Sequence, residues 1–362
     1  MKKLVLILPV ILSAFNIFAQ SDYFDSLVFT NTFGGDNDRL LEELVELNNQ
    51  DGKFSPDFYL NDRFQIDYKS KKINSRIRLD SSILCFDRNN LVDSDSGFYF
   101  RPRGYVSFKP FDFIEAGAGN YCFSKYSAKG GELFALDEVP CGAKLVEGGI
   151  YLGANFNGFC AFVSLNNSSE TFETLSAEYR FGAEYKLKNK FTIAADVFNQ
   201  NDSVGYGIFS SLDFIPDLDL NFGIVYGDSE EYFYKDLYYN QTLRFDFSGR
   251  YEIIQSGIVL SVDYLQNLVE HSSNKGLPFL GAVRIEWDFL NINIIDLNFS
   301  YSGFYGENPK FKLKGGFNYS IDTGAGTFGT GIHLTANHNG LKKIGIPLTW
   351  KYKYTVKNKN GH

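Results

Sequence analysis

Hydrophobic and polar positions alternate one by one between Phe279 and Phe289. Val283, Ile285, Trp287 and Phe289 interleave with Arg284, Glu286 and Asp288. A period of two puts the apolar set on one face of an extended strand and the charges on the other. The alternation resumes as Ile295, Leu297, Phe299 and Tyr301 against Asp296, Asn298, Ser300 and Ser302, so the two runs read as a hairpin. Similar strands are predicted at 62–69, 72–86, 97–109, 111–122, 141–154, 158–165, 174–187, 190–199, 204–214, 217–227, 240–250, 253–266, 278–290, 293–305, 310–321, 326–336 and 343–356. Short turns, at Ser70-Lys71, Pro110, 155–157, Lys188-Asn189, Ile215-Pro216, Tyr251-Glu252 and Asn291-Ile292, alternate with longer links at 87–96, 123–140, 166–173, 228–239 and 267–276. That rhythm suits a transmembrane antiparallel β-barrel, with lipid against the apolar face and water against the polar one, rather than a soluble sandwich.

A weaker alternating run at 26–33 brings the number of strands to about eighteen, an even number that returns both termini to the short-turn end; sixteen is the alternative if neither that run nor one of the later ones is a strand. One helix is predicted, Asp36 to Asn48, with Leu40, Leu41, Leu44 and Leu47 on one face. It either plugs the barrel mouth or packs at the rim.

Met1-Lys2-Lys3, an apolar run over 4–18 and the small residue Ala19 have the three zones of an export signal. The domain plan is therefore a signal peptide at 1–19, a strand and helix-containing loop at 20–60, a barrel at 61–356 and a polar tail at 357–362. Beyond residue 20 no apolar run reaches the roughly 18 residues of a spanning helix, so a membrane role has to use strands. Aromatic residues make up 17% of the chain, with 36 Phe and 23 Tyr, which fits interfacial girdles at strand ends. The net charge of −8 excludes a general polyanion-binding surface, so no nucleic-acid partner is expected.

Four cysteines, Cys85, Cys122, Cys141 and Cys160, allow three pairings. Cys122 and Cys141 fall at facing ends of consecutive predicted strands and are the favoured bridge, whereas Cys85 and Cys160 fall toward opposite rims. No spacing suggests a metal site. Gly324-Ala325-Gly326-Thr327-Phe328-Gly329 matches a dinucleotide-binding fingerprint on paper, but a strand follows it where a helix is required, so it reads as a turn. His271, His333 and His338 lie in no nucleophile motif. No catalysis, cofactor or metal is expected.

The segment Lys343-Ile344-Gly345-Ile346-Pro347-Leu348-Thr349-Trp350 resembles the β-signal read by barrel-assembly machinery, although the chain continues past it to a polar tail. In architecture the whole chain is similar to porin-like bacterial outer-membrane barrels. The resemblance implies residence in the outer membrane among its lipids, assembly by that machinery, homo-oligomer formation and passive diffusion of small polar solutes. The alternatives are a plugged barrel that takes up hydrophobic ligands and a surface adhesin or structural barrel that conducts little.

The polar faces supply the pore-lining candidates. Arg76, Arg78, Asp80, Arg101, Arg103 and Lys109 form the most basic group, with Asp80 placed near Arg103 as a cross-strand ion pair. Glu178 and Arg180, Arg244 and Asp246, and Arg284, Glu286 and Asp288 form mixed rows, which argue against strong selectivity between anions and cations.

Overall fold

The computed structural model describes residues 26–35, 58–86, 98–119, 133–136, 149–167, 177–187, 190–200, 203–227, 242–269, 277–290, 292–305 and 310–357. Their strands are β1 (Ser26–Gly35), β2 (Phe58–Lys69), β3 (Ile73–Phe86), β4 (Phe98–Phe111), β5 (Ile114–Gly119), β6 (Gly149–Phe156), β7 (Phe159–Asn167), β8 (Ala177–Leu187) and β9 (Phe191–Gln200). They continue as β10 (Ser203–Ile215), β11 (Leu218–Gly227), β12 (Thr242–Ile253), β13 (Ile258–Asn267), β14 (Leu277–Phe289), β15 (Asn293–Tyr305), β16 (Lys310–Thr323), β17 (Gly326–Asn337) and β18, in two segments (Gly340–Gly345 and Leu348–Lys357). The interruption in β18 falls at Ile346-Pro347, where proline has no N–H to give the ladder.

Each strand pairs antiparallel with its sequence neighbours, and β1 closes the ring. Its ten residues pair on one side with β2 and on the other with the second segment of β18, from Ser26 opposite Lys357 to Gly35 opposite Leu348. The 26–33 run is therefore a strand, and the barrel has eighteen. Closure satisfies every backbone row and leaves no edge, the condition for a sheet to sit in hydrocarbon.

Burial is inverted relative to a soluble protein. Arg244 and Asp263 are each 1% exposed and Asn267 is fully buried, whereas Ile208, Ile150 and Ile77 are 61%, 56% and 55% exposed. The apolar face of almost every strand points out and the polar face points in. Water cannot solvate so continuous an apolar wall favourably, and lipid can.

The links at one end are short throughout. The β6–β7 turn is Asn157-Gly158, both with positive φ (50° and 83°), as a two-residue hairpin demands. A Cβ on Gly158 would also lie 2.7 Å from the Lys186 carbonyl oxygen. Gly158→Ala should therefore destabilise the barrel by at least about 1–2 kcal/mol in denaturant titrations, and an unchanged midpoint would contradict this assignment.

At the same rim both tryptophans are anchored to turn carbonyls. Trp287 Nε1 donates to Ser256 O at 3.1 Å and Trp350 Nε1 donates to Ala325 O at 3.0 Å. Trp287 packs on Phe289, and Trp350 on Phe328 and Tyr352. An indole with an apolar body and a bonded N–H suits headgroup depth, so these contacts mark one membrane interface.

Several sequence boundaries move. The β4–β5 turn lies at Asp112-Phe113 instead of Pro110, where the ladder bulges and resumes at Phe111 opposite Ile114, and the β12–β13 turn lies at 254–257 instead of Tyr251-Glu252, because the ladder continues through those two residues. β5 and β6 pair from Ile114 opposite Ala154 to Gly119 opposite Gly149, the last described residues of that pair. Cys122, Cys141 and the expected helix from Asp36 to Asn48 lie outside the described residues. Cys85 is near the long-loop end of β3, and Cys160 near the short-turn end of β7, so these two sit at opposite ends of the barrel wall.

Candidate functional site

The inward face of β2–β5 gathers the basic residues. Arg76 donates to Asp67, while Asp80 accepts from Arg63 Nε at 2.8 Å and Arg78 Nε at 2.7 Å. Lys109 Nζ lies 3.6 Å from Glu115, which also accepts from the Tyr151 hydroxyl at 2.9 Å. The expected Asp80–Arg103 pair is not the one formed. The register sets Arg78 opposite Arg103 and Asp80 opposite Arg101. This two-residue offset leaves every side chain on its expected face, since only an odd slip would reverse them, but it replaces the acid opposite Arg103 with a second arginine.

The remaining candidates are distributed around the ring. The register places Arg180 opposite Ser164 and Glu178 opposite Asn166. Arg244 grips Asp246 of its own strand with two hydrogen bonds of 2.6 and 2.7 Å. Arg284 donates to both carboxylate oxygens of Asp296 at 3.0 and 3.1 Å and reaches Glu286 at 3.0 Å. Asp288, two residues on, is exposed near the short-turn mouth.

Ring closure sorts these charges by side. Pairing of β18 with β1 and β1 with β2 brings Lys351 and Lys353 onto the same wall as Arg63, Arg76, Arg78 and Arg103, and Lys312 and Lys314 on β16 extend it. Among the described residues, Asp67, Asp80 and, toward the short-turn end of β16, Asp322 are the acids on this wall. Across the ring, β9–β15 turn Asp196, Asp213, Asp219, Asp246, Glu252, Asp263, Glu286 and Asp296 inward, against Arg244, Arg250 and Arg284. The interior is thus basic on one wall and acidic on the other, an arrangement that sets a transverse field across any water between them.

A strap lies on the acidic wall. Leu133 to Leu136 belong to the long connection between β5 and β6, yet they pack inside the barrel. The Asp263 carboxylate accepts the backbone N–H groups of Phe134 at 3.0 Å and Leu136 at 2.8 Å, together with the Ser248 hydroxyl at 2.5 Å. Leu133 and Ala135 are buried against Leu265, Leu280 and Ala282 of β13 and β14. Ser248, Asp263 and Ala282 sit near the middle of their strands and Leu265 and Leu280 toward the long-loop end, so the strap narrows the interior on the long-loop side of its middle.

Solved structures with the same architecture span nearly the whole chain. The BenF-like porin from Pseudomonas fluorescens Pf-5 superposes with a TM-score of 0.60 at 11% identity, covering 92% of this chain and 99% of that one. Pseudomonas aeruginosa OprD gives 0.57 at 10% identity, with 93% and 98% covered. Pseudomonas aeruginosa OpdK with vanillate gives 0.56 at 10%, with 92% and 99% covered. The chain shares the fold of these porins, a closed antiparallel β-barrel of eighteen strands. No protein-family model and no curated protein matches its sequence.

In this porin-like barrel the strap is the element that the strand-by-strand reading misses. The signal is nevertheless present, because Leu265, Leu280 and Ala282 break the alternation by placing apolar side chains at inward positions of adjacent strands. Three such breaks side by side call for an apolar partner inside the barrel. A second inward apolar group, Ala194, Phe209 and Val225, spans β9–β11, with the Phe209 ring lying where a Cβ on Gly207 or Gly223 would clash.

Proposed function

We propose that this porin-like barrel is a channel for passive diffusion of small hydrophilic solutes across the bacterial outer membrane, with Leu133 to Leu136 setting its bore. The observation carrying this reading is the segregated interior, with the arginine wall of β2–β4 facing the carboxylate wall of β12–β15 and the strap occupying part of the latter. Eighteen strands are wide enough to leave an aqueous channel after the walls are filled. A transverse field orients a dipolar or charged solute as it passes and costs nothing in covalent chemistry.

The pore-lining roles follow from this reading. Arg78 and Arg103, opposite one another, attract the anionic end of a solute, and the Arg284–Asp296–Glu286 group faces its cationic end. Because OpdK was solved with vanillate, a small aromatic carboxylate is the first solute to test on this chain.

Purified folded protein in planar bilayers should give discrete current steps, and vanillate should interrupt them. A silent bilayer, with folding verified by heat-modifiable gel mobility, would overturn the channel reading. Under a salt gradient Arg103→Glu should shift the reversal potential toward lower anion permeability, and no shift would remove Arg103 from the conduction path.

A further inference from the structure

Two polar side chains on the acidic wall have no hydrogen-bond partner among the described residues. Asn267 is fully buried, and neither its amide nitrogen nor its amide oxygen has a hydrogen-bond partner. Ser302 is 1% exposed, and its hydroxyl is equally unpartnered. Both belong to inward faces. Asn267 is two residues beyond Leu265 on β13, and Ser302 is directly opposite Leu280 across the β14–β15 ladder. Leu265 and Leu280 are the residues on which the strap lies. The two orphaned groups therefore flank the strap's own footing.

We propose that the strap is a reversible gate, held close to balance between a docked and a released state. Docking is favoured by the Asp263 carboxylate, whose hydrogen bonds to Phe134 N and Leu136 N are charge-assisted, and by burial of Leu133 and Ala135. It is opposed at Asn267 and Ser302, because a buried donor or acceptor without a partner forfeits the hydrogen bonds that water would give it. Each such group shifts the equilibrium toward release by about tenfold. When the strap lifts, water reaches the wall and both groups are satisfied. The wall thus carries its latch and its opposing element within a few residues, and the bore alternates between narrow and wide.

This gate rests on the channel reading, but docking can be measured without any current. Hydrogen exchange at the Phe134 and Leu136 amides reports docking directly, because Asp263 holds both. Asn267→Leu with Ser302→Ala removes the orphaned groups while leaving the latch intact. In the folded double variant, exchange at these two amides should slow at least tenfold, and wide-bore current episodes should become rarer. Unchanged exchange in a folded double variant overturns the gate even if the channel conducts. Asn267→Asp serves as the opposite arm: a buried carboxylate demands water more strongly, so exchange should quicken, and a slowing would also overturn the proposal. If exchange shifts as expected but bilayers stay silent, the strap equilibrium stands and the channel reading fails.

Discussion

Leucine in place of Asp263 releases the strap and enlarges the single-channel current. The carboxylate is the one acceptor shared by Phe134 N, Leu136 N and the Ser248 hydroxyl. Without it, docking would bury the Leu136 N–H unpaired and leave the Phe134 N–H only the Ser248 hydroxyl oxygen, 3.0 Å away. Losing such charge-assisted bonds removes about 3 kcal/mol from docking, which shifts the docked-to-released ratio by about a hundredfold. Asp263→Asn keeps an acceptor oxygen but not the charge, so its effect should lie between wild type and Asp263→Leu. The order of currents, wild type below asparagine below leucine, is the result to look for. Equal currents in all three would mean that Leu133 to Leu136 do not set the bore.

The second large effect is on the outer wall. Val283 is 48% exposed and points outward from β14, between the inward Ala282 and Arg284. Trp287, bonded to the turn carbonyl of Ser256, fixes the interface four residues further along the same strand. With the tilt usual for membrane barrels, four residues bring Val283 close to the bilayer midplane. Val283→Arg should therefore cost about 2–4 kcal/mol in unfolding from lipid vesicles, and Ile285→Arg, nearer the interface, distinctly less. An equal cost at both positions would place the membrane boundary elsewhere. Arginine is already tolerated at position 284, one residue along, because that side chain turns inward onto Asp296.

Most of the strands were legible because a period of two is local information. Val283, Ile285 and Trp287 against Arg284 and Glu286 declares a strand and its two faces without reference to any partner, and the structure keeps those faces. The even number of strands was legible for a related reason: the weak 26–33 run was needed to bring both ends of the chain to one rim, and β1 does close the ring there.

Partners were harder than faces. Asp80 faces inward as its parity requires, but a two-residue offset pairs it with Arg63 and Arg78 in place of Arg103. Parity is blind to even slips, and the length of an irregular loop does not fix them. The strap was harder still. Leu133 to Leu136 have no period of their own, and their footing consists of Leu265, Leu280 and Ala282, more than a hundred residues later.

The sequence by itself therefore determined the strand repertoire, the direction of each face and the membrane environment, since alternation is written residue by residue. Tertiary structure alone decided which charges share a wall and what lies inside. Ring closure makes neighbours of Lys353, Thr30, Gln65, Arg78 and Arg103, residues from both ends of the chain. A transverse field is the sum of charges over the whole circumference, so no single strand, however plain its pattern, contains it.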